Sequence, residues 1–440
     1  MMMEWWEAAG LLVGGILVLM ALGLPVAFAF LGINIVGVVV FMGGMAGVDQ
    51  LVDNASGALT TFTLVPVPLF MIMGELFFHT GLAMRVFDAL DKCLGAVPGR
   101  LSYMTVGGGT LFATLSGSSM ANTAMLGSLM VPEMTRRGYK KHMIMGPILS
   151  TGGLAMIIPP STLAVLLGSL ARLDVGALLI AGLVPGIILA AFYIAVIRIQ
   201  IARDPDAAPG YAAERASAGE MARALLVNVA PMGLVVFAVI GLILLGWATP
   251  TESAAFGVLA VVILAGLYRC LTLEAIVKAL TGSLAVTAMM FMIILGSSTF
   301  SQVLAFSGAT SGLLGFAMGF DVSPYMMLLA MLLILIVLGM FMDQLSMMML
   351  TLPVFIPLVG SLGFDPIWFG VIMLLALELS LATPPFGMLL FVMMGVGPPG
   401  TTLGEVARAA APYIACTFIL IALLTAFPGI ALFLPRLAGG

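Results

Sequence analysis

Two proline pairs constrain this chain more than any other feature. Pro159-Pro160 interrupts the apolar run Ile144–Leu170, and Pro384-Pro385 interrupts the apolar run Ile367–Met393. A proline inside a helix removes an N–H donor and frees upstream carbonyls. In hydrocarbon an unpartnered backbone group costs several kcal/mol, so such a break is tolerated only where it lines a cavity or is buried in protein. Each pair also ends a similar stretch. Leu115–Ser161 opens with LSGSSMANTAMLGSLMVPEM, and Met342–Phe386 opens with MDQLSMMMLTLPVFIP. Both read as an apolar hairpin with a polar tip, followed by a broken helix. The breaks admit two readings, plain kinks or sites where main-chain carbonyls hold a ligand. Their recurrence behind two polar tips favours the second.

The rest of the chain fits a membrane frame. Of 440 residues, 62% are hydrophobic and 8% charged, and the mean hydropathy is +1.23. A soluble domain carries about 25% charged residues. At roughly 20 residues per crossing, the length allows ten or more spans. Aligned with itself at an offset of 225, the chain matches at its backbone punctuation. Pro25 falls on Pro250, Gly32 on Gly257, Pro132 on Pro357, Gly138 on Gly363, and Pro159-Pro160 on Pro384-Pro385; Ser118 falls on Asp343. Internal repeats of this kind are characteristic of secondary transporters.

The expected fold class is therefore an all-α polytopic membrane protein built as an inverted-topology repeat. Residues 1–200 form the first repeat, 201–223 a polar linker and 224–440 the second repeat. In the first, spans cover Leu11–Phe28, Leu31–Met45, Phe62–Phe78, the broken Ile144–Leu170 and Gly176–Ile197. Leu82–Leu94 is an amphipathic arm, and a re-entrant hairpin occupies about 102–134 with its turn at Ser116–Ser119. In the second, spans cover Ala224–Trp247, Ser253–Tyr268, Ser283–Leu304, the broken Ile367–Met393 and Val406–Phe427. Thr310–Phe320 takes the arm's place, and the second hairpin occupies about 325–361. Five crossings per half invert the second copy. The regions after an odd number of crossings hold 14 of the 16 Lys and Arg residues, Arg215 in the linker among them; Arg172 and Arg436 are the exceptions. The positive-inside rule then puts both termini outside and the linker in the cytoplasm, with Trp5 and Trp6 at the outer interface.

The tips hold the polar chemistry. The first offers Ser116, Gly117, Ser118, Ser119, Asn122 and Thr123, neutral oxygen donors that suit a hard cation such as Na⁺ better than a transition metal. Packing through small residues accounts for the serines but not for Asn122, whose amide needs partners. The second offers Asp343, Gln344 and Ser346. Two roles are open to Asp343: a carboxylate at membrane depth usually marks an ion or substrate path, and an aspartate before a helix caps it. Glu75 and Glu378 lie within or near apolar spans, and each fits either a ligand-facing or a hydrogen-bonding role. Cys93, Cys270 and Cys416 are dispersed, and His79 and His142 form no cluster. No GxxxxGK[ST] motif is present and no nucleophile and base stand at convincing spacing, so neither ATP hydrolysis nor enzymatic catalysis is expected. An ion gradient remains as energy source; one cation crossing 100 mV yields roughly 2.3 kcal/mol.

These residues resemble the large membrane subunit of tripartite ATP-independent periplasmic (TRAP) transporters, within the ion transporter superfamily. The match is carried by SGSS at Ser116–Ser119, GSLMVPEMTRRGY at Gly127–Tyr139, IIPPS at Ile157–Ser161, LGMFMD at Leu338–Asp343 and LATPPFG at Leu381–Gly387. PLFMIMGEL at Pro68–Leu76 and LGFDPIWFG at Leu362–Gly370 add to it. The resemblance implies an elevator mechanism, Na⁺ as coupling ion with no organic cofactor, and location in the bacterial inner membrane with periplasmic termini. It implies uptake of an organic acid delivered by a periplasmic substrate-binding protein. It also implies a small four-helix membrane subunit, expected here as a separate polypeptide because no room precedes Leu11. One Na⁺ site would use Ser116, Gly117, Ser118, Ser119, Asn122, Thr123, Ile157, Pro159 and Ser161. The other would use Gly339, Asp343, Gln344, Ala382, Thr383 and Pro385, and the substrate would meet Ser119, Asn122, Ser346 and Thr383. The alternative is a stand-alone Na⁺/carboxylate symporter. The Asn122-Thr123 tip is similar to tips of dicarboxylate/sodium symporters.

Overall fold

A computed structural model describes residues 3–95, 97–210, 217–320, 322–385 and 387–438, apart from the side chains of residues 115 and 116. It is helical, with no strand among the described residues. The first half contains α1 (Trp5–Ala21), α2 (Val26–Phe41), α3 (Met45–Leu59), α4 (Pro66–His79), α5 (Leu82–Leu94), α6 (Arg100–Ser116), α7 (Ser119–Arg136), α8 (Lys141–Ile157), α9 (Thr162–Leu170) and α10 (Val175–Arg203). The second contains α11 (Ala218–Leu244), α12 (Pro250–Leu267), α13 (Leu273–Phe306), α14 (Ala309–Met318), α15 (Pro324–Leu338), α16 (Gln344–Ser361), α17 (Pro366–Ala382), α18 (Met388–Val396), α19 (Leu403–Ala426) and α20 (Gly429–Ala438). The shift of 225 carries α7 onto α16 and α8 onto α17 with both ends in register.

Several boundaries differ from the sequence reading. The span placed at Leu11–Phe28 is instead α1, ending at Ala21; Gly23 takes a left-handed φ of 89° and Pro25 starts the next helix. The span placed at Leu31–Met45 ends at Phe41, where Gly43 and Gly44 turn the chain at positive φ. The amphipathic α3 that follows was not anticipated. Its Asn54 amide exchanges hydrogen bonds with the Gln302 amide of α13, at 2.8 and 2.9 Å. In the second half the counterparts of α3 and α4 run together as the single 34-residue α13, so the span placed at Ser283–Leu304 begins ten residues earlier, at Leu273. In the second hairpin, placed at about 325–361, the first helix ends at Leu338, and a turn from Gly339 leads to the tip. The linker is shorter than 201–223, because α10 continues to Arg203 and α11 begins at Ala218. The terminal α20, packed on α10, was also unforeseen. Among the described residues eight helices are long and apolar enough to cross a membrane, against ten expected crossings. The first two expected crossings, α1 and α2, fall among the shorter apolar helices.

The helices pack as two groups. One gathers α6–α10 with α15–α20; the other gathers α1–α5 with α11–α14, and the two meet where α4 and α5 pack on α6, α4 on α9, and α13 and α14 on α16. At the heart of the first group lie α8, buried from Met143 to Ile157, and α17, buried from Trp368 to Leu381. The second group closes on α13 through Asn34, whose Nδ2 donates to the Gly296 carbonyl, and through the Phe30–Phe300 ring pair at 5.2 Å. Its outer faces are apolar, with Val39, Leu259, Ile263 and Leu284 each more than half exposed. That surface suits acyl chains rather than water. Trp5 is seated on Gly312 and Phe316 of α14, while Trp6 is exposed.

Candidate functional site at the hairpin tips

Each hairpin turns at a residue that caps the helix after it. Gly117 takes φ 60° to end α6, and the Ser118 hydroxyl then accepts from the Ala121 N–H at 3.4 Å, starting α7. At the equivalent place Asp343 Oδ1 accepts from the N–H groups of Leu345 and Ser346 at 3.0 and 3.1 Å, and Oδ2 accepts from the Ser346 hydroxyl. Of the two roles open to Asp343, the cap is the one seen. Both Ser346 and Asp343 are thereby engaged with each other. Gly339 lies directly on Ser380, whose Oγ a Cβ would meet at 2.0 Å.

The tip residues of hairpin one run inward against α8. Asn122 is fully buried and its Nδ2 donates to the Thr151 carbonyl at 3.1 Å. Its Oδ1, and the hydroxyl of the fully buried Thr123, have no hydrogen-bond partner among the described residues. Thr123 faces Gly152, where a Cβ would meet its Oγ1 at 2.1 Å. A buried, unsatisfied oxygen costs about 1–3 kcal/mol, so two of them side by side on one helix need an explanation.

The two breaks are not alike. Ile158 to Ser161 are buried, whereas Pro384 and Pro385 are exposed and Ala382 and Thr383 half-buried. Both Pro–Pro bonds are cis. In the first break the Ser161 hydroxyl donates to the Met156 carbonyl at 2.6 Å and caps α9. The carbonyls of Ile157, Ile158, Pro159 and Pro160 receive no backbone hydrogen bond from a described residue. That of Ile157 lies against Gly182 of α10. In the second break the Thr383 hydroxyl donates to the Leu379 carbonyl at 2.6 Å, and the Gly387 N–H donates to the Thr383 carbonyl at 3.2 Å. Phe386 and the Ser116 side chain lie outside the described residues, as does Arg215 of the linker.

Glu378, left open in the sequence, occupies the centre. Its Oε2 accepts from the Ser119 hydroxyl at 2.6 Å and from Gln344 Nε2 at 2.9 Å, so one oxygen joins both tips. It is 9% exposed. Glu75 instead pairs with His79 at 3.2 Å on its own helix α4. It borders a cavity of about 330 Å³ that reaches Ser118 and Ser128. A second cavity of about 420 Å³ lies on the other hairpin, between α16 and Ser297, Ser298, Ser301 and Gln302 of α13, with Arg172 at its edge. Of the proposed substrate contacts, Ser119, Asn122, Ser346 and Thr383, none borders either cavity. A larger space of about 550 Å³ between α15, α17 and α19 is lined mostly by apolar side chains and by none of the tip residues.

Paired hairpins and broken helices enclosed by lipid-facing spans define a polytopic membrane transporter. Solved structures agree on the fold. The chain is similar to the YdaH transporter of Alcanivorax borkumensis (TM-score 0.63, 14% identity, 86% of this chain and 87% of that one). It is also similar to MtrF of Neisseria gonorrhoeae, from a class of antimetabolite efflux pumps (TM-score 0.62, 15% identity, 89% and 85%). Residues 13–430 match the family described as tripartite ATP-independent periplasmic transporter, DctM component, and the chain belongs to that family. A C4-dicarboxylate TRAP transporter large permease protein of Pseudomonas aeruginosa is 33% identical over 86% of this chain and 87% of its own length. The sialic acid counterpart of Vibrio cholerae and the ectoine counterpart of Halomonas elongata are each 29% identical over 96% of this chain and 97% of their own length. These relatives are transporter permeases and not enzymes.

Proposed function

We propose that this TRAP permease couples Na⁺ entry to uptake of an organic acid anion, working with a periplasmic binding protein and a small membrane subunit. The observation that carries the ion reading is the pair of buried, unpartnered oxygens of Asn122 and Thr123 in a hairpin packed on the first broken helix. A cation would satisfy both, and an all-oxygen donor set suits Na⁺. Na⁺ would be held by these two groups with help from the carbonyls of Ile157–Pro160, which receive no backbone hydrogen bond among the described residues. At the second tip Gln344, Thr383 and the Asp343 carboxylate would contribute. The division into two packed groups supports an elevator, in which the hairpin group moves against the group built on α13. The excess of Lys and Arg on one side supports periplasmic termini and an inner-membrane location. The relatives named for C4-dicarboxylate, sialic acid and ectoine transport support a small carboxylate as cargo.

The test is Na⁺ binding by the purified chain, measured with ²²Na⁺ and by thermal stabilisation in NaCl against KCl. Thr123→Val keeps the shape and removes only the hydroxyl, and Asn122→Leu removes the amide; each should raise the Na⁺ midpoint tenfold or more. A parent protein that does not distinguish Na⁺ from K⁺ would refute the ion reading. Uptake by this chain alone in proteoliposomes, with no binding protein, would refute the tripartite reading in favour of a stand-alone symporter.

A further inference from the structure

The offset of 225 that relates the halves also relates the residues around Glu378. Ser119 is equivalent to Gln344, and Gly153 is equivalent to Glu378. The other three all meet Glu378. Ser119 and Gln344 both donate to Glu378 Oε2, and a Cβ on Gly153 would come within 2.8 Å of Glu378 Cγ and 2.9 Å of Oε1. Equivalent residues that meet one another lie on the local two-fold axis of the repeat. The axis thus holds one carboxylate, seated on the glycine that takes its place in the other half.

The donors are the first residues of α7 and α16, directly after the capping Ser118 and Asp343. A negative charge is favoured at helix N-termini, and here it serves two 18-residue helices at once. No Lys, Arg or His forms an ion pair with it among the described residues. Its second oxygen, Oε1, has no hydrogen-bond partner among the described residues, and Glu378 borders a cavity of about 30 Å³ with Ser150, Tyr193, Thr417 and Tyr413, whose hydroxyl likewise has no partner among them. A water fits that volume.

We propose that Glu378 is the positioning residue through which the two ion sites act on one another, an assignment that rests on the Na⁺ reading above. The Ser119 hydroxyl donates its hydrogen bond to the carboxylate and keeps oxygen lone pairs for a cation at the first tip. Gln344 gives an N–H and keeps its amide oxygen for a cation at the second. An ion at either tip fixes one donor, hence the carboxylate, hence the donor opposite, so the second ion meets a site already ordered. Ordering by one ligand that spares the next is positive cooperativity, and by linkage it is reciprocal.

The experiment is a ²²Na⁺ titration of the full-length purified chain, for the parent, Glu378→Gln and Gln344→Leu. The parent should bind with a Hill coefficient near 2. Glu378→Gln should fall to near 1, with a Na⁺ midpoint raised within the range of about 5–150-fold usual for coupled sites. Gln344→Leu cuts one arm only and should lose the cooperativity as well, so it carries the test if the glutamine variant does not fold. A merely structural role would lower the melting temperature and leave the Hill coefficient unchanged. A cooperative parent whose folded variants stay equally cooperative overturns the proposal and leaves the Na⁺ reading intact. A parent with a Hill coefficient of 1 overturns the proposal too, and a parent that binds no Na⁺ overturns both.

Discussion

Gly182→Ala is the sharpest test of how the first break is held. Gly182 and Gly186 are spaced four apart on α10, the small-xxx-small arrangement that lets membrane helices approach closely, and they face Ile157 and Ile158. A Cβ on Gly182 would lie 2.1 Å from the Ile157 carbonyl oxygen, against about 3.3 Å for an ordinary C···O contact. The clash is with main chain, so either α10 retreats by about 1.2 Å or the carbonyl turns away. Overpacking of this kind costs about 1–3 kcal/mol, less up to about 1 kcal/mol from alanine's better helix propensity. The net loss is about 1–2 kcal/mol. Unfolding entropy of about 2.1 cal/mol/K per residue over 440 residues makes that a drop of only about 2 °C in melting temperature. The Na⁺ midpoint is the more sensitive readout, since 1.4 kcal/mol is about tenfold in binding. Gly186→Ala is the paired control. Its Cβ would meet Ile158 Cγ1 at 2.3 Å, in a side chain that can change rotamer, so the Na⁺ midpoint should stay within about twofold of the parent. Thermal unfolding and Na⁺ titration in detergent would measure both. A Gly182→Ala protein with the parent's melting temperature and Na⁺ midpoint, or a Gly186→Ala protein worse than it, would show that the break does not depend on this close approach.

The Asn54–Gln302 amide pair joins α3 to α13 by two hydrogen bonds. Asn54→Ala should cost about 1–3 kcal/mol by stranding Gln302, and Asn54→Leu with Gln302→Leu should recover most of it; a double-mutant cycle in melting temperature that shows simple additivity would contradict this. Asp343→Asn should leave melting almost unchanged because asparagine caps as well as aspartate, while Asp343→Ala should cost about 1 kcal/mol; equal losses for both would mean the charge itself holds the tip. The Lys140 ammonium donates to Asp204 and holds its carboxyl below the usual carboxylate range, against the opposing effect of burial. A depressed folded value means the pair's stabilisation is complete above the ordinary carboxylate pKa, about 3.9, and fades as pH falls through the lowered value. Asp204→Asn should therefore lose less melting temperature than the parent between pH 5 and pH 3, and parallel curves would refute the assignment.

Much of the architecture was legible because it is written in residues with few conformational choices. Pro366 and the Asp365 carboxylate, which accepts from the N–H groups of Ile367 and Trp368, fix the start of α17. The double prolines end α8 and α17, and Gly117 turns hairpin one. The arm Leu82–Leu94 was readable from its charged face. What the sequence hid were features that depend on distant partners. Met45–Leu59 was given no element because Asp49, Gln50, Asp53 and Asn54 interrupt its apolar positions, and α13 supplies the Asn54 amide with a distant partner. The fusion of two helices into Leu273–Phe306 followed from the absence of the prolines that begin α4, since Phe291 and Ile293 stand where the first half has Pro66 and Pro68. Glu378 gave no local sign of its role, since its donors lie 259 and 34 residues away. The offset that pairs Ser119 with Gln344 was the one clue available.

The glutamate on the axis also bears on why this molecule is a single polypeptide. A half-length protein assembling with an identical copy would have to place the same residue on both sides of that contact. Two glutamates would collide and repel where water cannot screen them, and two glycines would leave the opposing serine and glutamine without an acceptor. Joined halves, free to diverge at a single point, can put a carboxylate opposite a hydrogen atom, as two identical copies cannot.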